Sequence, residues 1–145
     1  ISMDHAEFLG DTLEQIAWEK AHIFREAVPV YLGRIPEAPL QVVREFTDRL
    51  HCSCEILGEH FDLDATGRYQ SREESFSVRF PKCFVSHERE NAAVASRVAR
   101  SCGVSVQAVQ EGLKRYLWPG RLERFTLQSG GRQVEVLTDG AHNID

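Results

Sequence analysis

The sequence predicts an α/β fold, mostly parallel strands with flanking helices, on two observations. A β-rich run at 28–33, an amphipathic helical stretch at about 38–50 and a second β-rich run at 54–57 follow one another. Strand–helix–strand succession is the signature of an α/β layer with parallel strands. The second observation is size and composition: 145 residues, 42% hydrophobic and 27% charged, suit a soluble globular domain that buries roughly two-thirds of its unfolded surface.

The elements follow in order. Asp11 or Thr12 can accept hydrogen bonds from the free N–H groups of a first helical turn. Leu13, Ile16, Ala17, Lys20 and Phe24 recur at helical spacing, which predicts a helix over 13–24. Lys20 falls on or beside the apolar face, as a snorkelling lysine or as a functional amine. Val28-Pro29-Val30-Tyr31-Leu32-Gly33 is a buried-strand candidate. Pro36 and Pro39 introduce the helix at about 38–50, with Leu40, Val43, Phe46, Thr47 and Leu50 facing inward. Cys54-Glu55-Ile56-Leu57 is the next strand. From 59 to 84 the chain turns polar, and the short alternating pieces Phe61-Asp62-Leu63 and Ser75-Phe76-Ser77-Val78-Arg79-Phe80 predict a small antiparallel hairpin or pair of strands joined by Asp64-Ala65-Thr66-Gly67. Ser86 is placed as N-cap of a helix ending at Gly103. Ser105 caps another, at 106–117, with Val106, Val109, Leu113 and Leu117 in one stripe. Pro119-Gly120 breaks it, and 121–140 reads as a hairpin around Ser129-Gly130-Gly131.

A net charge of −5 argues against a general nucleic-acid binder but leaves room for an anionic ligand. No apolar run approaches the roughly 20 residues of a membrane span, and no signal peptide is visible. Cys52, Cys54, Cys83 and Cys102 suggest no disulfide framework, so a reduced cytoplasmic setting is expected. His51-Cys52-Ser53-Cys54 with His60 matches no structural zinc spacing. His5, after Asp4 in a loop, is either solvated or a metal ligand whose other nitrogen a carboxylate orients. Asn91 sits early in an alanine-rich helix, on its exposed side or facing a ligand. Arg121, held by Trp118-Pro119-Gly120, is a surface arginine or a binder of phosphate or carboxylate. Asp139-Gly140-Ala141-His142-Asn143 follows an apolar strand, where open α/β sheets place ligands. No phosphate-cradling glycine loop is present. The start at Ile1 and the stop just after a strand-like run suggest an internal piece of a longer protein.

Four stretches in order carry a resemblance. They are Ser2-Met3-Asp4-His5 with Leu9-Gly10 and residues 16–24, Asn91-Ala92-Ala93, Trp118-Pro119-Gly120-Arg121, and Asp139-Gly140-Ala141-His142-Asn143. Together they resemble the folylpolyglutamate synthase and dihydrofolate synthase branch of the Mur ligase family. The resemblance runs end to end, with 55–85 matching only in general style. His22 stands where the family usually has glycine, and Glu90 where many relatives have proline.

The resemblance implies part of a P-loop-type central ATPase domain at 1–118, its phosphate loop lying elsewhere. It implies a linker and the first strands of a Rossmann-like C-terminal ligase domain at 119–145. It implies an ATP-dependent ligase that activates a folate or dihydropteroate carboxylate as an acyl phosphate and joins it to L-glutamate. By resemblance His5 is a magnesium ligand, and Lys20 carries a CO2-derived carbamate. Asn91, Arg121 and Asp139 contact ATP, and His142 belongs to the catalytic set. The parent is expected to be a monomer without nucleic-acid or membrane partners, and these residues alone to be inactive. The alternatives are a non-catalytic nucleotide- or metal-binding module and a Mur-type ligase acting on cell-wall precursors.

Overall fold

A computed structural model describes residues 10–80, 86–121 and 123–140. The elements in order are α1 (Leu13–Ala21), β1 (Val30–Leu32), α2 (Glu37–Arg49), β2 (Cys54–Ile56), β3 (Phe61–Leu63), β4 (Arg68–Ser71), β5 (Ser75–Ser77), α3 (Ser86–Ser101), α4 (Val106–Lys114), β6 (Glu123–Ser129) and β7 (Arg132–Thr138). β1 and β2 pair in parallel, Val30 opposite Cys54 and Leu32 opposite Ile56, with α2 as the connection. The α/β layer is thus present.

α1 is capped at both ends by side chains. Thr12 accepts from the Gln15 N–H at 3.3 Å, and the Gln15 amide oxygen accepts from the Asp11 N–H at 2.7 Å, a close variant of the capping box. The helix stops at Ala21, three residues before the predicted end. The Arg25 guanidinium donates to the carbonyls of His22, Ile23 and Phe24, so these acceptors are satisfied by a side chain instead of by further helix. His22 accounts for the departure from the family's glycine. Its ring packs edge-on against Trp18 at 4.1 Å and Phe46 at 5.1 Å, and its Nδ1 meets the Trp18 carbonyl at 2.8 Å. α1 buries Ile16, Ala17 and Ala21, and it packs against α2, which buries Leu40, Val43, Phe46 and Thr47.

The middle region is a three-stranded antiparallel sheet, β3-β4-β5, and not a simple hairpin. The turn at 64–67 is tied by Asp64, whose Oδ1 accepts from the Thr66 hydroxyl and from the N–H groups of Thr66 and Arg68. These bonds, the Thr66 hydroxyl first, hold the exposed Asp64 carboxyl below its ordinary pKa. The missed strand is β4, which the 64–67 turn leads into and which passes to β5 through a second turn in which the Ser71 hydroxyl accepts from the N–H groups of Glu73 and Glu74. The core lies between this sheet and α3: Leu57, Phe61, Leu63, Tyr69 and Val78 pack with Ala92 and Ala93. The alanines let α3 approach closely.

Arg97 and Arg100 on α3 clamp the two sheets. Arg97 is bidentate to Glu55 of β2 at 2.6 Å and reaches Glu73 at 3.4 Å. Arg100 is bidentate to Glu74 at 2.7 Å. Ser86 is the first residue of α3 and not its N-cap. α4 ends at Lys114, short of the expected 117, so Leu117 is 71% exposed instead of completing the stripe. Pro119 two positions on disfavours the helical conformation for Trp118 and helps end the helix early. β6 and β7 form the predicted hairpin through Gly130 and Gly131, both at positive φ, as a tight two-residue connection requires. Phe125, Leu127, Val134 and Val136 share one face of it by register.

Candidate functional site

The site is built on the turn Trp118-Pro119-Gly120-Arg121. The Arg121 N–H donates to the Trp118 carbonyl at 3.1 Å, and Gly120 has φ +74°. Proline second and a positive-φ glycine third define a type II turn, which favours glycine at that position. The Gly140 N–H, just past β7, donates to the Gly120 carbonyl at 2.7 Å. A Cβ added to Gly140 would lie 4.0 Å from Cζ and Nε of Arg121, so the guanidinium lies along this backbone. The two ends of the β6–β7 hairpin therefore meet, and Arg121 and Asp139 both remain exposed. A planar cation suits phosphate or carboxylate, and a carboxylate accepts from hydroxyl or amine donors.

Tyr116 links the first turn of α3 to this turn electrostatically. Burial raises the Tyr116 phenol above its ordinary pKa, the nearby Glu88 carboxylate adds to the rise and the Arg121 charge opposes it. Tyr116 thus lies within electrostatic reach of both Glu88 and Arg121. Asn91, one helical turn beyond Glu88, is exposed. Its neighbour Glu90 meets Arg34 Nε at 3.3 Å, and Arg34 Nη2 meets Asp62 at 3.3 Å. Arg34 and Gly58 follow the carboxyl ends of β1 and β2, the edge at which open α/β sheets bind ligands. Glycine is favoured at 58 by its φ of +89°, and a Cβ there would displace the Arg34 guanidinium.

The described contacts do not join Lys20 or Asn91 directly to the Arg121 turn. Lys20 is exposed in the last turn of α1 and does not sit with the buried face formed by Ile16, Ala17 and Ala21. His5 and His142 lie outside the described residues. Among the described residues no group of three His, Cys, Asp or Glu could hold a metal ion. In the His51–His60 region, the Cys52 thiol donates to the Arg25 carbonyl, the His60 Nδ1 accepts from the Ile56 N–H, and burial pushes the Cys54 thiol up. An apolar cleft of about 560 Å³, lined by Ile23, Phe24, Val28, Val30, Tyr31 and Val98 among others, contains none of the expected site residues. Glu88, Tyr116 and Arg34 escaped sequence reasoning because their signal is purely spatial. Glu123 had a faint one, a carboxylate three residues after a turn glycine.

Relatives are numerous. A Bacillus subtilis dihydrofolate synthase/folylpolyglutamate synthase is 31% identical over 157 residues, covering 99% of this chain and 35% of its own. The solved structure of a Thermotoga maritima folylpolyglutamate synthase is 30% identical, covers 91% of this chain and 32% of its own, and superposes with a TM-score of 0.76. E. coli FolC in complex with DHPP and ADP is 27% identical, covers 99% and 33%, and has a TM-score of 0.79. No protein-family model matches. The chain spans about a third of the length of these relatives and has their α/β fold.

Proposed function

We propose, from the premise that the chain is homologous over nearly its whole length to folylpolyglutamate and dihydrofolate synthases, that it forms part of the ATP site of a folate-glutamate ligase. The reaction joins a folate or dihydropteroate carboxylate to L-glutamate through an acyl phosphate. The observation that carries this is the junction of the Arg121 turn with Gly140, which lays a cation along the backbone next to Asp139 and so pairs it with a stretch that holds a carboxylate. The ADP and DHPP named in the FolC complex are the chemistry such a pair would face.

In this reading Arg121 binds phosphate oxygens and stabilises charge that builds as the γ-phosphoryl group moves. Asp139 accepts from a nucleotide hydroxyl or amine, Asn91 adds a polar contact from α3, and His142 completes the catalytic set. Lys20, exposed and so accessible to CO2, carries a carbamate, and with His5 it holds Mg2+. When bound, magnesium would supply charge neutralisation at the phosphates. The described residues do not by themselves supply three metal ligands. Residues 1–118 belong to the ATP-binding domain, and 119–145 are the linker and the beginning of the ligase domain. A monomeric, cytoplasmic protein is part of the same proposal.

The test uses the full-length gene product, with magnesium-ATP, glutamate, and dihydropteroate or a reduced folate. ADP release that requires both acceptor and glutamate supports the ligase. Nucleotide binding without turnover would replace it with a binding module. Loss of turnover in Lys20→Ala, with partial rescue by short carboxylates, tests the carbamate.

A further inference from the structure

We propose that Glu123 is a positioning residue for Arg121, acting through the backbone of Gly120; the inference rests on the nucleotide-contacting role of Arg121 proposed above. Glu123 is the first residue of β6, opposite Thr138 at the end of β7, so its carboxylate sits between the two stretches that build the site. Its Oε2 accepts from the Gly120 N–H at 2.8 Å.

Two successive peptide planes lead into Arg121, and each is held. The plane between Pro119 and Gly120 is held by Glu123 through the Gly120 N–H. The plane between Gly120 and Arg121 is held at both ends, its carbonyl by the Gly140 N–H at 2.7 Å and its N–H by the Trp118 carbonyl at 3.1 Å. Only the first plane depends on a side chain. It is also the plane that inverts when a type II turn converts to type I, a change that glycine at the third position permits. A carboxylate accepting from a backbone N–H is a charge-assisted bond, stronger than a neutral one. Glu123 therefore selects the turn conformer that lays the Arg121 guanidinium along Gly140. Without it the arginine keeps its charge but loses its fixed direction.

The test is titration of a non-hydrolysable ATP analogue into the full-length gene product, by calorimetry, alongside steady-state kinetics. E123A is expected to weaken analogue binding and raise the KM for ATP by about tenfold, the equivalent of one charge-assisted hydrogen bond. E123Q keeps an acceptor oxygen and is expected to recover most of that loss. E123A combined with R121A is expected to bind no more weakly than R121A alone. Wild-type binding by E123A while R121A is impaired overturns the positioning role and leaves the nucleotide reading intact. Additive losses in the double variant overturn it as well. Undiminished binding by R121A removes the role of Arg121, and this inference with it. Should E123A fail to fold, E123D, whose carboxylate is one methylene shorter, carries the same predictions.

Discussion

Replacing Tyr69 with phenylalanine is expected to stabilise the protein, the reverse of the usual effect of deleting a tyrosine hydroxyl. Tyr69 is fully buried. Its ring stacks on Phe76 at 4.6 Å and lies opposite Leu63 and Phe76 in the antiparallel sheet. The hydroxyl makes no hydrogen bond of full geometry among the described residues; the Ser71 side chain is near enough for a weak, poorly aligned hydrogen bond only. A buried unsatisfied hydroxyl costs ~1–3 kcal/mol. Deleting one oxygen forfeits little packing, since ring stacking and apolar burial are kept. The net expectation for Tyr69→Phe is about 1 kcal/mol of added stability, or a rise of about 3 °C in Tm for a chain of this size. Tyr69→Ala, by contrast, should lose about 3–5 kcal/mol through the cavity it leaves. pH supplies an independent check. Burial pushes the phenol up from 10.0 to about 12, so the folded state holds its proton more tightly than the unfolded state. The stability linked to that proton is fully present below pH 10 and is lost as pH rises towards 12. The phenylalanine variant lacks this loss, so its advantage should widen above pH 10. Equilibrium urea unfolding at pH 7 and pH 11 measures both effects. A loss of 1 kcal/mol or more at pH 7 in Tyr69→Phe would refute the reasoning, because the hydroxyl would then have a partner.

Arg97→Met should cost about 3 kcal/mol, because it strands the Glu55 carboxylate at a side-chain exposure of 24%, and adding Glu55→Leu should recover most of it; a single-variant loss too small to measure in urea unfolding would contradict this. The Glu74 carboxyl is held below its ordinary pKa of 4.5, first by its hydrogen bonds from Arg100, so its contribution is present above that pH and lost as pH falls through the depressed value. Glu74→Gln should accordingly flatten the acid limb of a stability-versus-pH curve, and an unchanged limb would remove Glu74 from the account. Gly120→Ala imposes a positive φ on a side-chain-bearing residue at about 1–2 kcal/mol. If that strain is relieved by moving the Arg121 turn, binding of an ATP analogue should weaken about tenfold, and wild-type affinity would show that the turn tolerates alanine.

Periodicity and capping residues in the sequence located every helix and strand except β4, and the parallel pairing of β1 with β2 followed from the helix between them. The end of α1 moved through a local contact that helical spacing does not reveal: the Arg25 guanidinium binds the three carbonyls just before it. The extra antiparallel strand, β4, lies between the two runs that the alternation picked out and joins β5 through a turn that the Ser71 hydroxyl organises. Among site residues, Arg121 and Asp139 were legible as types, since each followed a turn or a strand end. That they lie at the same end follows from the predicted hairpin, whereas the backbone bond from Gly140 to Gly120 and the Glu123 contact to the Gly120 N–H leave no trace in side-chain pattern. Lys20 is the converse case: spacing set it on or beside the apolar face, and packing of α1 on α2 left it exposed. The sequence by itself determined which chemical groups are available, because residue identity and local propensity are properties of short stretches. Tertiary structure alone decided which of them face one another, because those contacts join residues that no local rule connects.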